Sequence, residues 1–520
     1  MTPETLRTKL ESDAGRWPRR DWALLDVREQ GEAHAGHIPT ATFLPRRLVE
    51  ARIFELLPDR SVHAVIYDSG MHPTLGKDSR AAFSRETLES CGYSNVTILE
   101  GGYADWLSSG AQVSKGSNVP CKAFGEAVLE EDEVPSIDPE ELHESLRSGT
   151  PPAICDVRTY EEYRHHHLPG AISTPGFDLA GHLPDLQGKS PFVLINCAGR
   201  TRSIIATATA RKLGCDAAWG LRNGTMGWQI AGQNVTSENC VSMTPVHNST
   251  INARAEELAD KAGVGRVSAG ELAGLLDGNI PPYVFDLRTM SEFRNGHIPG
   301  SIALPGGQLI QRTDDYAAIP AHPIVLVDNG CSQAALAGYW LRRMGFPDVS
   351  RLVPDISGWM ASGAAIATGR RSGAAFQIAD DERVQEIAAA DLDPSTVFQG
   401  YSILDIRTSR EFQSAHIEGA HWAPRGWLEH AARNMQQMRK PLLVARDERQ
   451  ARLGAAQLIA VGIPSVAFIA DGMNGWQACG HPAVQGDVTD SPYYPDLVEP
   501  PYSKGIDEMR AYIEWEVALK

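Results

Sequence analysis

Residues 154–170 read ICDVRTYEEYRHHHLPG, and near-copies of this stretch recur at 24–40, 284–300 and 403–419. In every copy an aspartate follows a short apolar run, and a histidine comes eleven residues after that aspartate. A short apolar run that ends in polar residues is typical of a buried strand. Recurrence of one pattern along the chain indicates tandem domains of a single kind.

Each copy is followed by a second apolar run and then by a tryptophan. The second run ends 40 to 42 residues after the motif aspartate, at Asp68, Cys197, Asp328 and Ala445. The tryptophans are Trp106, Trp228, Trp359 and Trp476. The first repeat has seven extra residues between these two positions, and we expect them within 71–77. Because helix signals alternate with the strands, each unit predicts an α/β fold with a parallel sheet covered on both faces.

The pattern divides the chain into four domains and a tail. We expect repeat 1 at residues 1–118, repeat 2 at 132–245, repeat 3 at 262–370 and repeat 4 at 378–486, with linkers between them. The C-terminal tail, residues 487–520, is predicted to end in an amphipathic helix from Ile506 to Leu519. The sequence leaves open whether this helix packs on the body of the protein or on a partner chain, so a homodimer is one option.

The composition is ordinary for a globular protein, with 42% hydrophobic and 22% charged residues over 520 positions. A net charge of -17 argues against a nucleic-acid-binding protein. No apolar run is long enough to span a bilayer and no signal peptide is evident, so we expect a cytoplasmic protein with no membrane partner. Eight cysteines without a Cys-x-x-Cys pair predict neither a disulfide scaffold nor a zinc site.

The loop after the second strand of repeat 2, residues 197–203, reads Cys-Ala-Gly-Arg-Thr-Arg-Ser. Its position is where parallel sheets carry their chemistry, and Cys197 is the candidate nucleophile. A helix predicted from Ser203 would direct backbone N–H groups and its positive dipole end at the sulfur, and Arg200 and Arg202 would add fixed positive charge. We therefore expect the pKa of the Cys197 thiol to fall from about 8.5 toward roughly 3.5–7.5.

Together these motifs resemble the rhodanese family over nearly the whole chain. The matching features are the Asp-Val-Arg strand end, the Gly-His-Ile-Pro turn, the cysteine loop of repeat 2 and the Gly-Trp close. The resemblance implies four tandem rhodanese-like α/β domains, each with a central, mostly parallel five-stranded sheet flanked by helices. It also implies that Cys197 is catalytic and carries sulfur as a persulfide, with no cofactor and no metal.

The resemblance further implies a substrate-binding role for the loop residues Ala198, Gly199, Arg200, Thr201, Arg202 and Ser203. Arg222 opens a glycine-containing loop that we expect at the same edge of the sheet, so it is also a candidate for the pocket. Guanidinium groups hold small oxyanions by paired hydrogen bonds, so the arginines suit an anionic sulfur donor.

We expect a sulfurtransferase that moves a sulfane sulfur from thiosulfate onto Cys197 and then to cyanide or a thiol acceptor. Two alternatives stay open: an enzyme that uses 3-mercaptopyruvate or an organic persulfide, and a sulfur-relay or interaction protein with little small-molecule turnover. A phosphatase or arsenate reductase is disfavoured. The phosphate loop of cysteine phosphatases has its arginine six positions after the cysteine, whereas Arg202 is five positions after Cys197.

The remaining candidates have structural interpretations. Repeats 1, 3 and 4 lack a cysteine at the strand end and are predicted to be inactive. Cys331, in the loop of repeat 3, is either a second sulfur acceptor or a loop cysteine without a role, and the lack of a neighbouring arginine in the sequence favours the latter. We expect His167 to be a turn histidine rather than a metal ligand. Asp156 and Arg158, which have counterparts in every repeat, are predicted to form a structural ion pair.

Overall fold

A computed structural model describes residues 1–13, 20–72, 75–149, 151–370, 375–434, 439–488, 491, 493 and 496–519. Each of the four repeats forms its own sheet, and the strands within each of these sheets pair in parallel. Helices connect the strands, as parallel pairing requires. The predicted α/β class and the tandem arrangement are confirmed.

Across each sheet the strands lie in an order that differs from their order in the chain. The spatial order in repeat 1 is Thr42–Phe43, Ala23–Asp26, Ala64–Tyr67 and Val96–Ile98. In repeat 2 it is Val241–Ser242, Ile172–Ser173, Ala153–Asp156, Val193–Asn196, Ala218–Leu221 and Ser136–Ile137. In repeat 3 it is Gly265–Ser268, Val349–Val353, Ile324–Val327, Tyr283–Asp286 and Ile302–Ala303. In repeat 4 it is Val384–Ile387, Val466–Ile469, Lys440–Val444, Tyr401–Asp405 and His421–Trp422.

Helices alternate with these strands along every repeat. Repeat 1 has Pro3–Ser12, Gln30–Ala35, Val49–Leu56, Arg80–Ser90 and Gly102–Ser108. Repeat 2 has Pro139–Arg147, Tyr160–His165, Leu183–Lys189, Thr201–Lys212 and Gly224–Ile230. Repeat 3 has Ala269–Leu276, Met290–Asn295, Gly306–Gln311, Gln333–Met344 and Ile356–Ala361. Repeat 4 has Val397–Gly400, Ser409–Ser414, Leu428–Asn434, Glu448–Ala460 and Gly472–Ala478. In the described part of the chain no helix has the length and apolar character needed to cross a membrane.

The expected five strands are found in repeats 3 and 4, but the other two sheets differ at their edges. Repeat 2 gains a sixth strand because Val241–Ser242 pairs with Ile172–Ser173. The parallel sheet of repeat 1 has four strands in the described residues. There Met1 makes edge hydrogen bonds to the backbone of Ile98 and Glu100, and a helix begins at Pro3, before a strand can form.

Three segments predicted to be an insertion or linkers contain regular secondary structure. Residues 71–77 contain the hairpin strands Met71–His72 and Gly76–Lys77, with residues 73–74 outside the described part. The predicted linkers after repeats 1 and 2 contain the helices Val119–Glu131 and Ser249–Lys261. We call Val119–Glu131 the linker helix. Of the predicted linker 370–380, residues 371–374 lie outside the described residues.

Repeats 2 and 3 pack together through matching turns. A Cβ atom on Gly176 would lie 2.6 Å from the backbone nitrogen of Gly307, so the two backbones touch at a distance that only glycine allows. Gly176 also has a φ of 54°, in the left-handed region that favours glycine. Nearby, Gln333 Nε2 of repeat 3 donates a 3.0 Å hydrogen bond to Asp178 Oδ1 of repeat 2. Repeat 3 therefore buttresses the side of repeat 2 next to the cysteine loop.

Candidate active site

The aspartate–arginine motif ties the end of the first strand to the following turn. Arg158 Nη2 donates hydrogen bonds of 2.7 Å to Asp156 Oδ2 and 2.6 Å to the His166 carbonyl. The His167 ring donates from Nδ1 to the Tyr163 carbonyl at 3.0 Å. The same arginine contacts recur at Arg28, Arg288 and Arg407. The structural interpretations of the arginine pair and of the turn histidine are confirmed.

Cys197 lies between the strand Val193–Asn196 and the helix Thr201–Lys212. Its side chain is buried, with 2% of its surface exposed, and it lines a cavity of about 500 Å³. The thiol donates to Ser203 Oγ at 3.3 Å. Because the helix begins at Thr201, its unpaired N–H groups point toward the end of the loop that holds the sulfur.

The next turn of repeat 2 fixes the backbone of the cysteine loop. The Thr225 N–H donates to the Cys197 carbonyl at 2.8 Å, and the Met226 N–H donates to the Ala198 carbonyl at 3.0 Å. Gly224 has a φ of 58°, and a Cβ atom there would lie 2.3 Å from the Cys197 oxygen. The glycine four residues before Trp228 is thus needed for this close approach of the two backbone segments.

Both arginines of the loop are paired with carboxylates. Arg200 donates from Nε and Nη2 to Glu126 of the linker helix at 2.6 and 2.7 Å, and from Nη1 to Asn223 at 2.8 Å. Arg202 donates to both oxygens of Glu162 at 2.7 and 2.8 Å. These pairs fix the guanidinium planes, but they also offset most of the positive charge that the loop sequence indicates.

The electrostatic environment of Cys197 differs from the expectation. Burial raises the pKa of the Cys197 thiol, the Arg202 charge and the hydrogen bonds of Ser203 oppose that rise, and the Glu516 carboxylate adds to it. The prediction of a lowered pKa is therefore wrong for this structure. Its physical cause is burial, which outweighs the Arg202 charge, together with the Glu516 carboxylate, and the loop sequence reveals neither of them.

The C-terminal tail packs on the body of the protein and covers this site. Its helix Ile506–Val517, which we call the tail helix, docks on repeat 2 through an apolar cluster. The buried members of that cluster are Met226, Met509 and Ile513. Since Met226 belongs to the turn that holds the cysteine loop, the tail helix and the loop share one packing unit.

Glu516 of the tail helix reaches the loop itself. Its side chain is 2% exposed, and the Thr201 hydroxyl donates to Glu516 Oε1 at 2.7 Å. A Cβ atom on Gly199 would lie 3.4 Å from Glu516 Oε2. A carboxylate from the far end of the chain therefore forms part of the cavity wall next to the nucleophile.

Lys122 of the linker helix stands on the same side of the cavity. Its Nζ donates to the Ser117 carbonyl at 2.7 Å and lies 5.1 Å from the ring centre of Tyr512 and 4.7 Å from that of Trp515. Burial lowers the pKa of Lys122, and the nearby Glu516 carboxylate opposes that change. The cation is held by aromatic faces of the tail helix.

Most of the predicted binding residues line the cavity, namely Ala198, Gly199, Arg200, Thr201 and Arg202. Ser203 contacts the sulfur of Cys197 but does not line this cavity. It lines a second cavity of about 240 Å³ on the other side of the loop. Arg222 lines that second cavity as well, where its half-exposed guanidinium pairs with Asp138 at 3.2 Å. The expectation that Arg222 belongs to the Cys197 pocket is therefore corrected.

Sequence reasoning missed the residues that other segments bring to the loop, namely Lys122, Glu126, Tyr512, Trp515 and Glu516. They lie in segments predicted to be a linker and a tail, and no motif marks them. Glu162 did carry a signal, because an acidic residue recurs at its position in repeats 3 and 4 as Glu292 and Glu411.

The corresponding loop of repeat 3 does not favour a thiolate at Cys331. Burial and then the carboxylates of Asp328, Glu292 and Asp178 raise the pKa of Cys331 to about 11. A thiol in that environment stays protonated at neutral pH and is a poor nucleophile. This geometry favours the interpretation of Cys331 as a loop cysteine without a catalytic role.

Comparisons with known proteins agree with the architecture. A family model described as a rhodanese-like domain matches residues 2–109, 138–231, 268–362 and 386–479. A crystal structure of a thiosulfate sulfurtransferase from Pseudomonas aeruginosa is similar over 100% of this chain and 96% of its own length. That alignment has a TM-score of 0.84 and 31% sequence identity.

Two curated relatives align with this chain over about the length of one repeat. The protein named arsenate reductase 2.1 of Oryza sativa subsp. japonica is 29% identical over 104 residues, which are 19% of this chain and 65% of that protein. The match thus spans just under two thirds of that relative. YibN of Escherichia coli strain K12, an uncharacterized protein, is 27% identical over 107 residues, which are 20% of this chain and 73% of its own length.

Proposed function

This chain belongs to the rhodanese-like domain family, and we propose that it is a sulfurtransferase that works through a persulfide on Cys197. In this proposal the donor is thiosulfate and the acceptor is cyanide or a thiol. The observation that carries the proposal is the position of the Cys197 sulfur, in a cavity at the carboxyl end of the sheet, beside the start of the helix Thr201–Lys212. Among the four equivalent strand ends, only this one has a sulfur atom.

In the first step the Cys197 thiolate attacks the sulfane sulfur of thiosulfate. A bond forms between the two sulfur atoms, the bond between the sulfane sulfur and the sulfonate sulfur breaks, and sulfite leaves with the electron pair. The thiol first loses its proton to solvent, and Ser203 Oγ, which accepts the hydrogen bond of the thiol, lies beside the resulting thiolate. The Arg202 charge favours the thiolate over the thiol and supports this step.

In the second step the acceptor attacks the outer sulfur of the Cys197 persulfide. With cyanide the products are thiocyanate and the regenerated thiolate. With a thiol acceptor the sulfur leaves as a new persulfide. The cavity of about 500 Å³ is large enough for either small acceptor. Both steps are displacements at sulfur and need no external oxidant or reductant.

Two alternatives use the same nucleophile. The donor in the first is 3-mercaptopyruvate or an organic persulfide, and the aromatic side chains Tyr512 and Trp515 on the cavity wall would suit the carbon skeleton of such a donor. The second is a sulfur relay, in which Cys197 takes sulfur from a protein and passes it on without rapid small-molecule turnover. The relative named arsenate reductase 2.1 motivates an arsenate assay as a further comparison.

The experiment is an assay of thiocyanate formation from thiosulfate and cyanide with purified protein. We expect activity in the wild type and in Cys331→Ser, and none in Cys197→Ser. Retained activity in Cys197→Ser would exclude the proposed nucleophile. A persulfide detected on Cys197 by mass spectrometry without thiocyanate turnover would favour the relay. Activity with 3-mercaptopyruvate but not thiosulfate would assign the first alternative, and arsenate reduction would overturn the sulfur-transfer proposal.

A further inference from the structure

The tail helix places one carboxylate in the wall of the Cys197 cavity. Glu516 is 2% exposed and is held by the Thr201 hydroxyl at 2.7 Å. Thr201 is the first residue of the helix Thr201–Lys212. The start of a helix attracts anions, because its N–H groups and dipole present partial positive charge. Glu516 thus occupies the position at which the protein would otherwise attract an anionic donor most strongly.

Among the described residues that line this cavity, the buried or half-buried cations are few and mostly paired, whereas two further lysines, Lys115 and Lys504, are exposed. Arg200 is bound to Glu126 and Arg202 to Glu162, each through two hydrogen bonds. Lys122 remains as a buried cation near Glu516. It is held by the Ser117 carbonyl and by aromatic rings rather than by a carboxylate hydrogen bond in the described residues. The charge of Glu516 therefore offsets the attraction that Lys122 would exert on an anion entering the cavity.

We infer that Glu516 is a specificity-determining residue that selects sulfur donors by charge. Its charge lowers kcat/KM for a doubly negative donor such as thiosulfate relative to singly negative or neutral donors. A carboxylate in a partly desolvated cavity repels a second negative charge on the donor more strongly than it would in water. This inference rests on the proposed role of Cys197 as the sulfur-accepting nucleophile.

The first test compares two donors in matched variants. Glu516→Gln removes the charge while its amide oxygen still accepts the Thr201 hydroxyl. We expect the ratio of kcat/KM for thiosulfate to that for 3-mercaptopyruvate to rise roughly threefold to tenfold in this variant. Glu514→Gln makes the same change at an exposed position of the tail helix and should leave the ratio unchanged. An unchanged ratio in Glu516→Gln, or an equal rise in Glu514→Gln, overturns the inference.

The second test does not depend on sulfur transfer. Iodoacetate is an anion and iodoacetamide is neutral, and both alkylate the same thiolate, so the ratio of their rates at Cys197 is independent of the thiolate fraction. We expect this ratio, measured by peptide mass spectrometry, to rise by the same factor in Glu516→Gln. If the wild type turns over neither donor, the proposed function fails, while the alkylation ratio still decides whether Glu516 selects by charge.

A second variant, Lys122→Met, tests the inference even if Glu516→Gln does not fold, because it changes the charge of the cavity in the opposite direction. This variant removes a buried cation of the cavity wall and keeps an unbranched side chain next to Tyr512 and Trp515. We expect the iodoacetate-to-iodoacetamide ratio at Cys197 to fall in this variant, and thermal denaturation shows whether each variant is folded. If Glu516→Gln does not fold and Lys122→Met leaves the ratio unchanged, charge selection by this cavity wall is overturned.

Discussion

The Arg200 guanidinium and the Glu126 carboxylate are 74 residues apart in the chain and are joined by two hydrogen bonds of 2.6 and 2.7 Å. Glu126 is fully buried on the linker helix, so the position of the cysteine loop depends on a segment outside repeat 2. The linker helix thereby contributes to the candidate active site and is not only a connection between domains.

Breaking this pair should destabilise the protein and the site together. Glu126→Gln leaves the Arg200 guanidinium without its charged partner, and loss of one member of a buried ion pair costs about 3–5 kcal/mol. We expect a lower free energy of unfolding in chemical denaturation, and faster alkylation of Cys197 at neutral pH because the uncompensated Arg200 charge favours the thiolate. Glu144→Gln, at an exposed position of the helix Pro139–Arg147, is the control and should change stability by less than about 0.5 kcal/mol. Equal effects of both substitutions would contradict the pairing role.

The reactivity of Cys197 should rise with pH through the alkaline range. Because burial raises the pKa of its thiol, the thiolate fraction is small at neutral pH and grows as the proton is lost. We expect the rate of iodoacetamide alkylation at Cys197 to be still increasing above about pH 8.5, the ordinary value for cysteine. A plateau already reached below pH 7 would show instead the activated thiol that the loop sequence predicts.

Removing the Ser203 hydroxyl should shift the pH dependence of Cys197 alkylation. Ser203 lies 3.3 Å from the sulfur, and its hydrogen bonds oppose the rise in the pKa of Cys197. We therefore expect the alkylation profile of Ser203→Ala to shift to higher pH than that of the wild type. Ser148→Ala, an exposed serine of the same repeat, should leave the profile in place. A shift of the Ser203→Ala profile to lower pH would contradict this assignment.

Loosening the tail helix should open the cavity. Ile513 is buried in the apolar cluster with Met226 and Met509, and truncation of a buried isoleucine to alanine costs about 2–5 kcal/mol. We expect faster modification of Cys197 by a bulky maleimide in Ile513→Ala. The matched control is Ile506→Ala, at a residue of the same helix that is 44% exposed. Equal maleimide rates in both variants and in the wild type would mean that the tail helix does not limit access.

The contact between repeats 2 and 3 should depend on pH through Asp178. Burial raises the pKa of Asp178 to about 6, above the value of about 3.9 in an unfolded chain. The folded protein therefore favours the protonated form, and this contribution to stability is present below about pH 3.9 and is lost as the pH rises through about 6. We expect Asp178→Asn to raise the midpoint of thermal unfolding at pH 8 but not at pH 4. Asp185→Asn, at an exposed site, should have no such pH-dependent effect.

Local patterns were sufficient to predict the four-repeat fold and to single out Cys197 as the candidate nucleophile. The Asp156–Arg158 pair spans two residues and the contact of His167 with Tyr163 spans four, so each is fixed by neighbours in the chain. The strand that ends at Asn196 and the helix that follows it also place Cys197 by local structure alone. Because these patterns occur four times, the fold class could be predicted from the sequence.

The charge state of the site depends on contacts that no local pattern encodes. Glu516 meets Thr201 across 315 residues, and Glu126 meets Arg200 across 74. Arg222 is near the cysteine loop in sequence, yet it turns to Asp138 on the other side of that loop. Sequence reasoning counted the arginines of the loop but had no means of locating the carboxylates that pair with them.

The sequence by itself determined the four α/β repeats and the one strand end that carries a sulfur atom, because strands, turns and helix starts are set by residues close together in the chain. Only the tertiary structure decided the environment of that sulfur. The pKa of Cys197 and the charge of its cavity are sums over groups from repeat 2, the linker helix and the tail helix, and those sums exist only once the three segments are packed together.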